Sequence, residues 1–366
     1  MASTKLFESI PQFPNTLPVA KLLKISLSSL ISGDPDAAND VLTACRTSGF
    51  FHLDLSNSPL GEAMIPLIDS IFPIIQQTMQ LPLEEKMKYT QDAPRSFLGY
   101  KALGVMKTES GAPDRCEFWT ISQDDILGTT VPEQPMPSIL TSQRGLFKSY
   151  LFYGRSVIEH IFHALATQLR LPHDAFIQFH DPTRESGTIL RLMQYEPGIQ
   201  GEDEDQVQTG LLAHTDFGSI TLLANVLGGL QVLSRAGEWE WVQPEPGCLI
   251  VNMGDAMVEW TGGVLRSNMH RVVCAPGEQA ALDRVSFAML VRPCKEARMK
   301  RLAGGSIPSI ESDSEEGVVA IGAEGMTAWE WELKKAMALK EGKDCARSRG
   351  GRDLETERDS VGNTEA

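Results

Sequence analysis

The 366-residue chain has little that would direct it to a membrane or to a nucleic acid. It contains no run of about 18 apolar residues, the length that a membrane-spanning helix needs. Lys and Arg number 33 against 48 Asp and Glu, so the formal net charge of −15 offers no basic surface to a polynucleotide or an anionic lipid headgroup. The start, MASTKLFESIPQFP, lacks the apolar segment of a secretory signal. We therefore expect no nucleic-acid partner and no membrane association.

Cysteine is also sparse. The six cysteines are scattered, without a C-x-x-C pair and without the density of a disulfide framework. The apolar fraction of 42% and the charged fraction of 22% are by contrast ordinary for a globular protein. The length suffices for one large domain or two modest ones. We expect reduced thiols and a cytoplasmic location.

Residues 1–137 are predicted to form a mixed, mostly helical N-terminal region. A helical pattern ends at Gly49 and is followed at once by the strand-like run FFHLDL. A second helix is predicted over residues 60–79, where Pro66 and Pro73 indicate a break or a kink.

Residues 138–295 are predicted to form the core. Apolar residues recur at helical spacing from Ser138 to Leu171 and predict one long helix that backs this part of the chain. From Thr188 to Pro293 the pattern changes to short β-rich runs, from TILRLMQY to RVSFAMLV, separated by turns that contain Gly or Pro. The predicted fold class is therefore mixed α and β, with a jelly-roll core.

Residues 296–366 are predicted to be a polar tail that is partly disordered. ESDSEEG at 311–317 and the charged C-terminal run have the composition of disordered segments. Between them, TAWEWELKKAMALK predicts one amphipathic helix that docks on the core through an apolar stripe. The predicted stripe consists of Trp329, Leu333, Ala336 and Met337.

Three residues have the types and the order of a metal site. LLAHTDFGSITLL places His214 and Asp216 two residues apart, so a β-strand would project both side chains from one face. His270 in SNMHRVV lies at the start of another predicted strand, where a barrel could bring it opposite the pair. Two histidines and one carboxylate on one face of a metal leave several positions open, as in non-haem Fe(II) oxygenases. Iron is favoured over zinc because the Fe(II) chemistry needs several open positions, whereas a three-ligand zinc hydrolase needs only one. The zinc-binding helix motif H-E-x-x-H is also absent from the sequence.

Arg284 and Ser286 form an i, i+2 pair on a further predicted strand. A guanidinium with a neighbouring hydroxyl suits a buried carboxylate, which it can bind through charge-assisted hydrogen bonds. The distal carboxylate of 2-oxoglutarate fits this requirement, because the α-keto acid at its other end would chelate the iron. An ion pair between Arg284 and Asp283, or another surface carboxylate, is the structural alternative.

Several other polar residues are interpreted as structural. Asn252 and Asp255 lie in VNMGD, which is interpreted as turn chemistry that shapes the barrel. His160 and His163 are three residues apart on the long predicted helix and could touch, but no recognisable pattern supplies a third ligand. We interpret both as helix-face residues.

The chain resembles the 2-oxoglutarate and Fe(II)-dependent dioxygenase superfamily, in its isopenicillin N synthase-like branch. The resemblance covers roughly residues 18–295 and rests on SGFFHLDL, GAPDRCEFW, HTDFGSITLL, GGLQVL, VNMGD, HRV and RVS in the expected order. It implies a double-stranded β-helix core with a helical N-terminal region. It also implies a set of ligands for each group: His214, Asp216 and His270 for iron, and Arg284 and Ser286 for 2-oxoglutarate.

The resemblance further implies a cosubstrate contact for Tyr195. Plant members read N-Y-Y-P-P where this chain reads Met193-Gln194-Tyr195-Glu196-Pro197. Tyr195 thus keeps its place, whereas Met193 stands at the asparagine position, so the family's polar contact there does not carry over to this chain. An ordinary half-buried strand tyrosine is the alternative for Tyr195.

The function that the resemblance implies is a dioxygenase that uses Fe(II), 2-oxoglutarate and O2. It would hydroxylate or desaturate a small organic molecule, a secondary metabolite by family analogy, with release of succinate and CO2. Ascorbate is the expected reductant in vitro. Two alternatives stay open. One is a ferrous oxidase of the isopenicillin N synthase type that does not use 2-oxoglutarate, since the R-x-S pair occurs there too, and the other is a non-catalytic small-molecule-binding module on the same fold.

Overall fold

The structure is a computed structural model that describes residues 5–92, 96–106, 108, 111–130, 133–198, 209–309 and 325–340. These ranges contain twelve strands, nine α-helices and three short 3-10 helices. The strands are β1 (Leu23–Ser26), β2 (Phe50–Asp54), β3 (Gly99–Lys101), β4 (Cys116–Ser122), β5 (Ile189–Tyr195), β6 (Thr209–His214), β7 (Ile220–Asn225), β8 (Leu230–Leu233), β9 (Trp239–Trp241), β10 (Cys248–Met253), β11 (His270–Val273) and β12 (Arg284–Val291). The α-helices are α1 (Leu27–Ile31), α2 (Pro35–Thr47), α3 (Pro59–Met79), α4 (Leu83–Met87), α5 (Gln123–Leu127), α6 (Ser138–Thr141), α7 (Arg144–Gln168), α8 (Asp255–Thr261) and α9 (Ala328–Lys340). The 3-10 helices are Lys5–Phe7, Ile177–Phe179 and Gly277–Ala281.

The strands form two sheets. The large sheet has eight strands in the order β1-β2-β10-β7-β12-β5-β4-β3, and the small sheet has four in the order β6-β11-β8-β9. All neighbouring strands are antiparallel except β1 and β2, which are parallel. Side chains from the inner faces of both sheets line one cavity. This arrangement confirms the predicted jelly-roll core.

Helices cover the outer face of the large sheet. Alternate residues of β12 point outward, and Phe287 and Met289 pack there in the main apolar core with residues of α3 and α7. The ring of Tyr150 on α7 meets the ring of Phe287 edge to face at 4.6 Å between centroids. Helix α7 is the predicted backing helix. It leaves the inner face of the sheet free for the cavity.

Helix α3 runs without a break from Pro59 to Met79, so of the predicted break or kink at Pro66 and Pro73 the break does not occur. Each proline removes one backbone hydrogen bond. The helix persists because one whole side of it is buried in the core, and tertiary packing supplies most of the stability of helices in proteins. The buried side includes Met64, Ile65, Ile68, Ile71, Phe72 and Ile75.

The N-terminal part of the chain is joined to the core by hydrogen bonds between strands. Strand β2 pairs with β10, and β4 pairs with β5. Four strands of the large sheet therefore come from residues 23–122. The predicted division at residue 137 does not coincide with an edge of the sheet, and it stays a prediction.

Helix α9 docks on the core with a different face from the predicted one. Trp329 and Met337 of the predicted stripe are 37% and 41% exposed, so that stripe is wrong. The buried face carries charge, because Glu332 accepts a hydrogen bond from Arg292 at 3.1 Å and Lys335 lies in a buried ion pair. Ion pairs, which the hydrophobic pattern does not show, orient this helix. The buried face consists of Ala328, Trp331, Glu332 and Lys335.

Two further expectations concern only part of the chain. No helix within the described ranges is long and apolar enough to cross a membrane. The five cysteines of these ranges are free thiols. Cys345, ESDSEEG at 311–317 and the charged C-terminal run lie outside the described residues.

Candidate active site

The two sheets enclose a cavity of about 510 Å³, counting its open mouth. Strands β5, β7, β10 and β12 form one wall, and β6, β8 and β11 form the other. Its lining combines eight apolar side chains and Tyr195 with eight polar or charged side chains. The lining includes all six residues predicted from the sequence: His214, Asp216, His270, Arg284, Ser286 and Tyr195.

Two histidines and one aspartate converge in this cavity. His214 at the end of β6 lies directly opposite His270 at the start of β11. The Nε2 atoms of His214 and His270 are 3.8 and 3.9 Å from Oδ1 of Asp216. One ligand atom from each of the three residues lies within 4.8 Å of the other two. This donor set is suited to one metal ion with open positions on its far side.

Asp216 does not lie on the strand that carries His214. Strand β6 ends at His214, and the chain turns before β7 begins. The turn is fixed by α8, whose first residue, Asp255, donates its backbone N–H to the Asp216 carbonyl at 2.8 Å. A side chain at Gly254 would overlap the Gly218 carbonyl, so the turn and the helix start lie in close contact. The predicted shared strand face is therefore wrong, although the two side chains do converge.

Both histidines direct Nε2 towards Asp216 because Nδ1 is engaged elsewhere. Nδ1 of His214 lies 2.7 Å from the Leu212 carbonyl, and Nδ1 of His270 lies 3.1 Å from the Asn268 carbonyl. A carbonyl oxygen only accepts, so each Nδ1 carries a proton and Nε2 is the ring atom left to bind a metal. Burial, together with the neighbouring His270, lowers the pKa of His214 to about 4. The imidazole of His214 is therefore neutral near neutral pH, the form that binds a metal.

The Asp216 carboxylate is held by two side chains of the large sheet. Its Oδ2 accepts hydrogen bonds from Thr221 Oγ1 and Asn252 Nδ2, both at 2.7 Å, which leaves Oδ1 facing the imidazoles. Burial acts to raise the pKa of Asp216, but His270, His214 and these two hydrogen bonds outweigh it and lower the pKa to about 2. The interpretation of Asn252 as a turn residue is wrong, since it lies in β10 and contacts Asp216. A polar residue at an inward position of an apolar strand is the signal that could have identified it.

Arg284 and Ser286 face the cavity from β12. Arg284 donates from Nε to the Gly228 carbonyl at 2.7 Å and from Nη1 to Ser286 Oγ at 3.2 Å. Its Nη2 is buried and has no hydrogen-bond partner in the described part of the chain. Among the salt bridges found there, none joins Arg284 to Asp283, the structural alternative considered above. A buried N–H without a partner is costly, and a bound carboxylate would satisfy it.

Tyr195 supports the Arg284 side chain. Its ring lies 4.8 Å from the Arg284 guanidinium carbon. Its hydroxyl donates to the sulfur of Met193 at 3.4 Å. Met193, which stands where plant members have asparagine, therefore accepts a hydrogen bond from this tyrosine. Just before β8, Gly229 has a φ of +113°, and a Cβ there would come within 3.1 Å of Arg284 Cδ. The arginine is thus held between Tyr195 and a glycine backbone.

Two family models match the sequence. The model described as the 2OG-Fe(II) oxygenase superfamily matches residues 185–293, and the model described as the non-haem dioxygenase in morphine synthesis N-terminal region matches residues 17–138. A 2-oxoglutarate-dependent dioxygenase of Aspergillus fumigatus is 31% identical over 320 residues, which are 81% of this chain and 82% of the relative. A 2-oxoglutarate-dependent dioxygenase of a Dothideomycetidae species is 30% identical over 294 residues, 79% of this chain and 87% of the relative.

Solved structures share the fold. A full-length Neurospora crassa protein, crystallised in complex with alpha-KG and thymine, has a TM-score of 0.73 at 24% identity and covers 88% of this chain and 100% of its own. JOX2 in complex with 2OG, Fe and JA has a TM-score of 0.63 at 23% identity and covers 90% of this chain and 94% of its own. At these identities the likeness concerns the fold.

Proposed function

We propose, because the chain belongs to the superfamily of 2-oxoglutarate- and Fe(II)-dependent oxygenases, that His214, Asp216 and His270 bind its ferrous ion and that Arg284 and Ser286 bind 2-oxoglutarate. The chain is an oxidoreductase, and Fe(II) and 2-oxoglutarate are its cofactor and cosubstrate. The reaction that we propose is hydroxylation or desaturation of a small organic molecule with release of succinate and CO2.

One observation carries this proposal. A facial donor set of two Nε2 atoms and one carboxylate oxygen shares a cavity with a buried guanidinium N–H that has no partner within the described residues. Such a cavity suits an iron ion and a dicarboxylic α-keto acid together. When bound, iron and 2-oxoglutarate supply the O2 chemistry that oxidises an unactivated C–H bond.

The side chains have separate tasks in this proposal. Asn252 and Thr221 orient the Asp216 carboxylate so that one oxygen faces the two imidazoles. Arg284 holds the distal carboxylate, and Tyr195 positions the guanidinium by stacking on it. The apolar side chains of the lining exclude water and strengthen these polar contacts. They are Phe50, Met193, Leu211, Leu223, Leu230, Val272, Ala288 and Leu290.

The proposed substrate is a small molecule, and a secondary metabolite is the class that we favour from the family resemblance. The cavity brings apolar side chains together with convergent polar groups, as small-molecule sites do. Thymine, a small molecule, is bound by the structural neighbour from Neurospora crassa. The formal net charge of −15 argues against a polynucleotide substrate.

The experiment that tests the function is an anaerobic titration of the apoprotein with Fe(II) and then with 2-oxoglutarate. We expect the visible metal-to-ligand charge-transfer band of the chelate, and succinate once O2 and a substrate are added. Iron binding without the band, and O2 consumption without succinate, would indicate a ferrous oxidase. Absence of iron binding would indicate a non-catalytic binding module.

Matched variants test the assigned residues. His270→Ala should lose iron, whereas His160→Ala, on α7 and outside the cavity lining, should retain it. Arg284→Ala should keep iron but need about 10- to 100-fold more 2-oxoglutarate, because a hydrogen bond to a charged group contributes roughly 1.5–3 kcal/mol. Iron content and the titration of the charge-transfer band measure the two effects. Wild-type iron content in His270→Ala contradicts the metal assignment.

A further inference from the structure

A second arginine enters the cavity at a distance from Arg284. Arg191 lies in the middle of β5, where it pairs with Ala288 of β12 on one side and Thr120 of β4 on the other. Its side chain lines the cavity. Arg284 pairs with Tyr195, four residues further along β5, so the two arginine positions are about 13 Å apart along the strands. They serve different ends of the cavity.

Arg191 has no polar partner in the described ranges. Its guanidinium carbon lies over the face of the Phe118 ring, 4.7 Å from the ring centre. Its Nε is buried without a hydrogen bond. Stacking covers one face of the guanidinium and offers no acceptor to the N–H donors, which lie in the plane. Arg144 shows what a structural arginine looks like in this fold, since it donates to a carboxylate oxygen and to the backbone oxygen of Asp125 at 2.8 and 2.7 Å.

The charge of Arg191 is also unbalanced in the loaded site. When a ferrous ion and the 2-oxoglutarate dianion are bound, their charges together with those of Asp216 and Arg284 cancel. The positive charge of Arg191 then has no counterpart among the side chains of the cavity lining. Burial and the positive charge of Arg292 lower the pKa of Arg191, the Asp216 carboxylate acts to raise it, and a guanidinium stays protonated in proteins. Such a cation requires an anion that the cofactors do not supply.

We propose that Arg191 binds a carboxylate of the substrate, so that the substrate is an organic acid. This inference rests on the proposed function, since it assigns the substrate class of the same site. The guanidinium takes the carboxylate through charge-assisted hydrogen bonds, and the apolar remainder of the acid lies against the apolar lining. Phe118 acts as a positioning residue, because its ring sets the plane of the guanidinium.

The test compares acids with their uncharged amides. Benzoate and hexanoate are titrated against benzamide and hexanamide into the anaerobic complex with Fe(II) and 2-oxoglutarate, and binding is followed by the change in the charge-transfer band. We expect each acid to bind at about tenfold lower concentration than its amide. Arg191→Met should abolish the preference, and Arg191→Lys should retain part of it. The 2-oxoglutarate requirement of Arg191→Met should stay within about twofold of wild type.

Three binding results and one stability result would overturn the inference. The binding results are equal binding of acid and amide by the wild type, an acid preference that survives in Arg191→Met, and a 2-oxoglutarate requirement that rises in Arg191→Met as it does in Arg284→Ala. The last result would assign Arg191 to the cosubstrate. A fall in melting temperature of Arg191→Met as large as that of Arg144→Met would assign it to the scaffold instead.

A second arm separates this inference from the proposed function. If the charge-transfer band never forms, the proposed function fails. The acid and amide titrations are then followed by ligand NMR line broadening on the Arg284→Met apoprotein, where Arg191 is the remaining arginine of the cavity lining. A preference for the acid there supports the inference, and equal binding overturns it.

Discussion

The carboxylate of Asp216 is oriented by two side chains that do not themselves supply ligand atoms. Asn252→Leu removes one of the two hydrogen bonds to Oδ2 with little change in side-chain volume. Partners that orient a metal ligand typically contribute about 10- to 100-fold to metal affinity. We therefore expect the dissociation constant for Mn(II), measured by calorimetry on the apoprotein, to rise by about that factor.

Thr221→Ser is the matched control for this variant, because it keeps the hydroxyl that donates to Asp216. Its Mn(II) affinity should stay near that of the wild type. Equal affinity in Asn252→Leu and in the wild type would mean that Asn252 is only a packing residue.

Glu259 on α8 is a carboxyl group whose charge is disfavoured in the folded protein. Burial, opposed by Lys335, raises the pKa of Glu259 to about 7, and its Oε1 is buried without a hydrogen bond in the described part of the chain. In the unfolded chain the pKa is near its ordinary value, about 4.3. The folded state therefore binds the proton more tightly, and this group lowers the stability as the pH rises from about 4.3 to about 7.

Glu259→Gln tests this pH dependence. Its free energy of unfolding relative to wild type should increase between pH 5 and pH 8, by on the order of 1–2 kcal/mol after allowance for partial exposure. Urea titrations at the two pH values measure the difference. A stability difference that does not change with pH would contradict the assignment.

At the scale of single residues, the H-x-D, H and R-x-S pattern predicts five of the six site residues that share the cavity, and the family resemblance predicts the sixth, Tyr195. The H-x-D, H and R-x-S pattern is specific because each part fixes residue type and order together. The pattern does not reveal Thr221, Asn252 or Arg191, since whether a polar residue in a strand faces the cavity depends on register. Register is set by pairing with distant strands, which one sequence does not reveal.

At the scale of elements, α9 is held by charge inside the protein. Lys335 donates to Asp255 in an ion pair of which both side chains are buried, and Asp255 also accepts from Thr215 at 3.0 Å. Lys335→Met leaves the Asp255 charge buried without its cation, so we expect it to lower the free energy of unfolding by about 3–5 kcal/mol. Lys334→Met, on the exposed side of the helix, should change it by less than about 0.5 kcal/mol.

A double-mutant cycle distinguishes the ion pair from simple packing. Asp255→Asn combined with Lys335→Met removes both charges, so the double variant should be more stable than the sum of the two single losses predicts. Urea unfolding of the four proteins measures the coupling. Strict additivity would mean that the two side chains stabilise the fold independently.

The elements themselves are predictable where hydrophobic periodicity determines them. The backing helix and the β-rich second half follow from spacing, because their apolar faces are long and regular. The continuity of α3 and the buried face of α9 are not predictable in this way. In α3, packing outweighs two prolines, and in α9, partners distant in the chain determine which face is buried.

At the scale of the whole molecule, the proposed ligands join two sheets. His214 and His270 lie on the small sheet, whereas Arg284 and Ser286 lie on the large sheet. A metal alone would contact the histidines of the small sheet and Asp216. A metal that also holds 2-oxoglutarate would connect these residues to β12. The two ligands should therefore stabilise the fold cooperatively.

Thermal unfolding and hydrogen exchange measure this cooperativity. Mn(II) and 2-oxoglutarate together should raise the melting temperature by more than the sum of their separate effects, because the bound metal would also hold 2-oxoglutarate. A single ligand at about a hundred times its dissociation constant adds roughly 2.7 kcal/mol. Exchange should slow in β12 only when both are present, and in β6 and β11 already with Mn(II). Arg284→Ala should keep the increment from Mn(II) and lose the further one from 2-oxoglutarate. If that variant still shows the full cooperative increment, the cosubstrate does not connect the two sheets through β12.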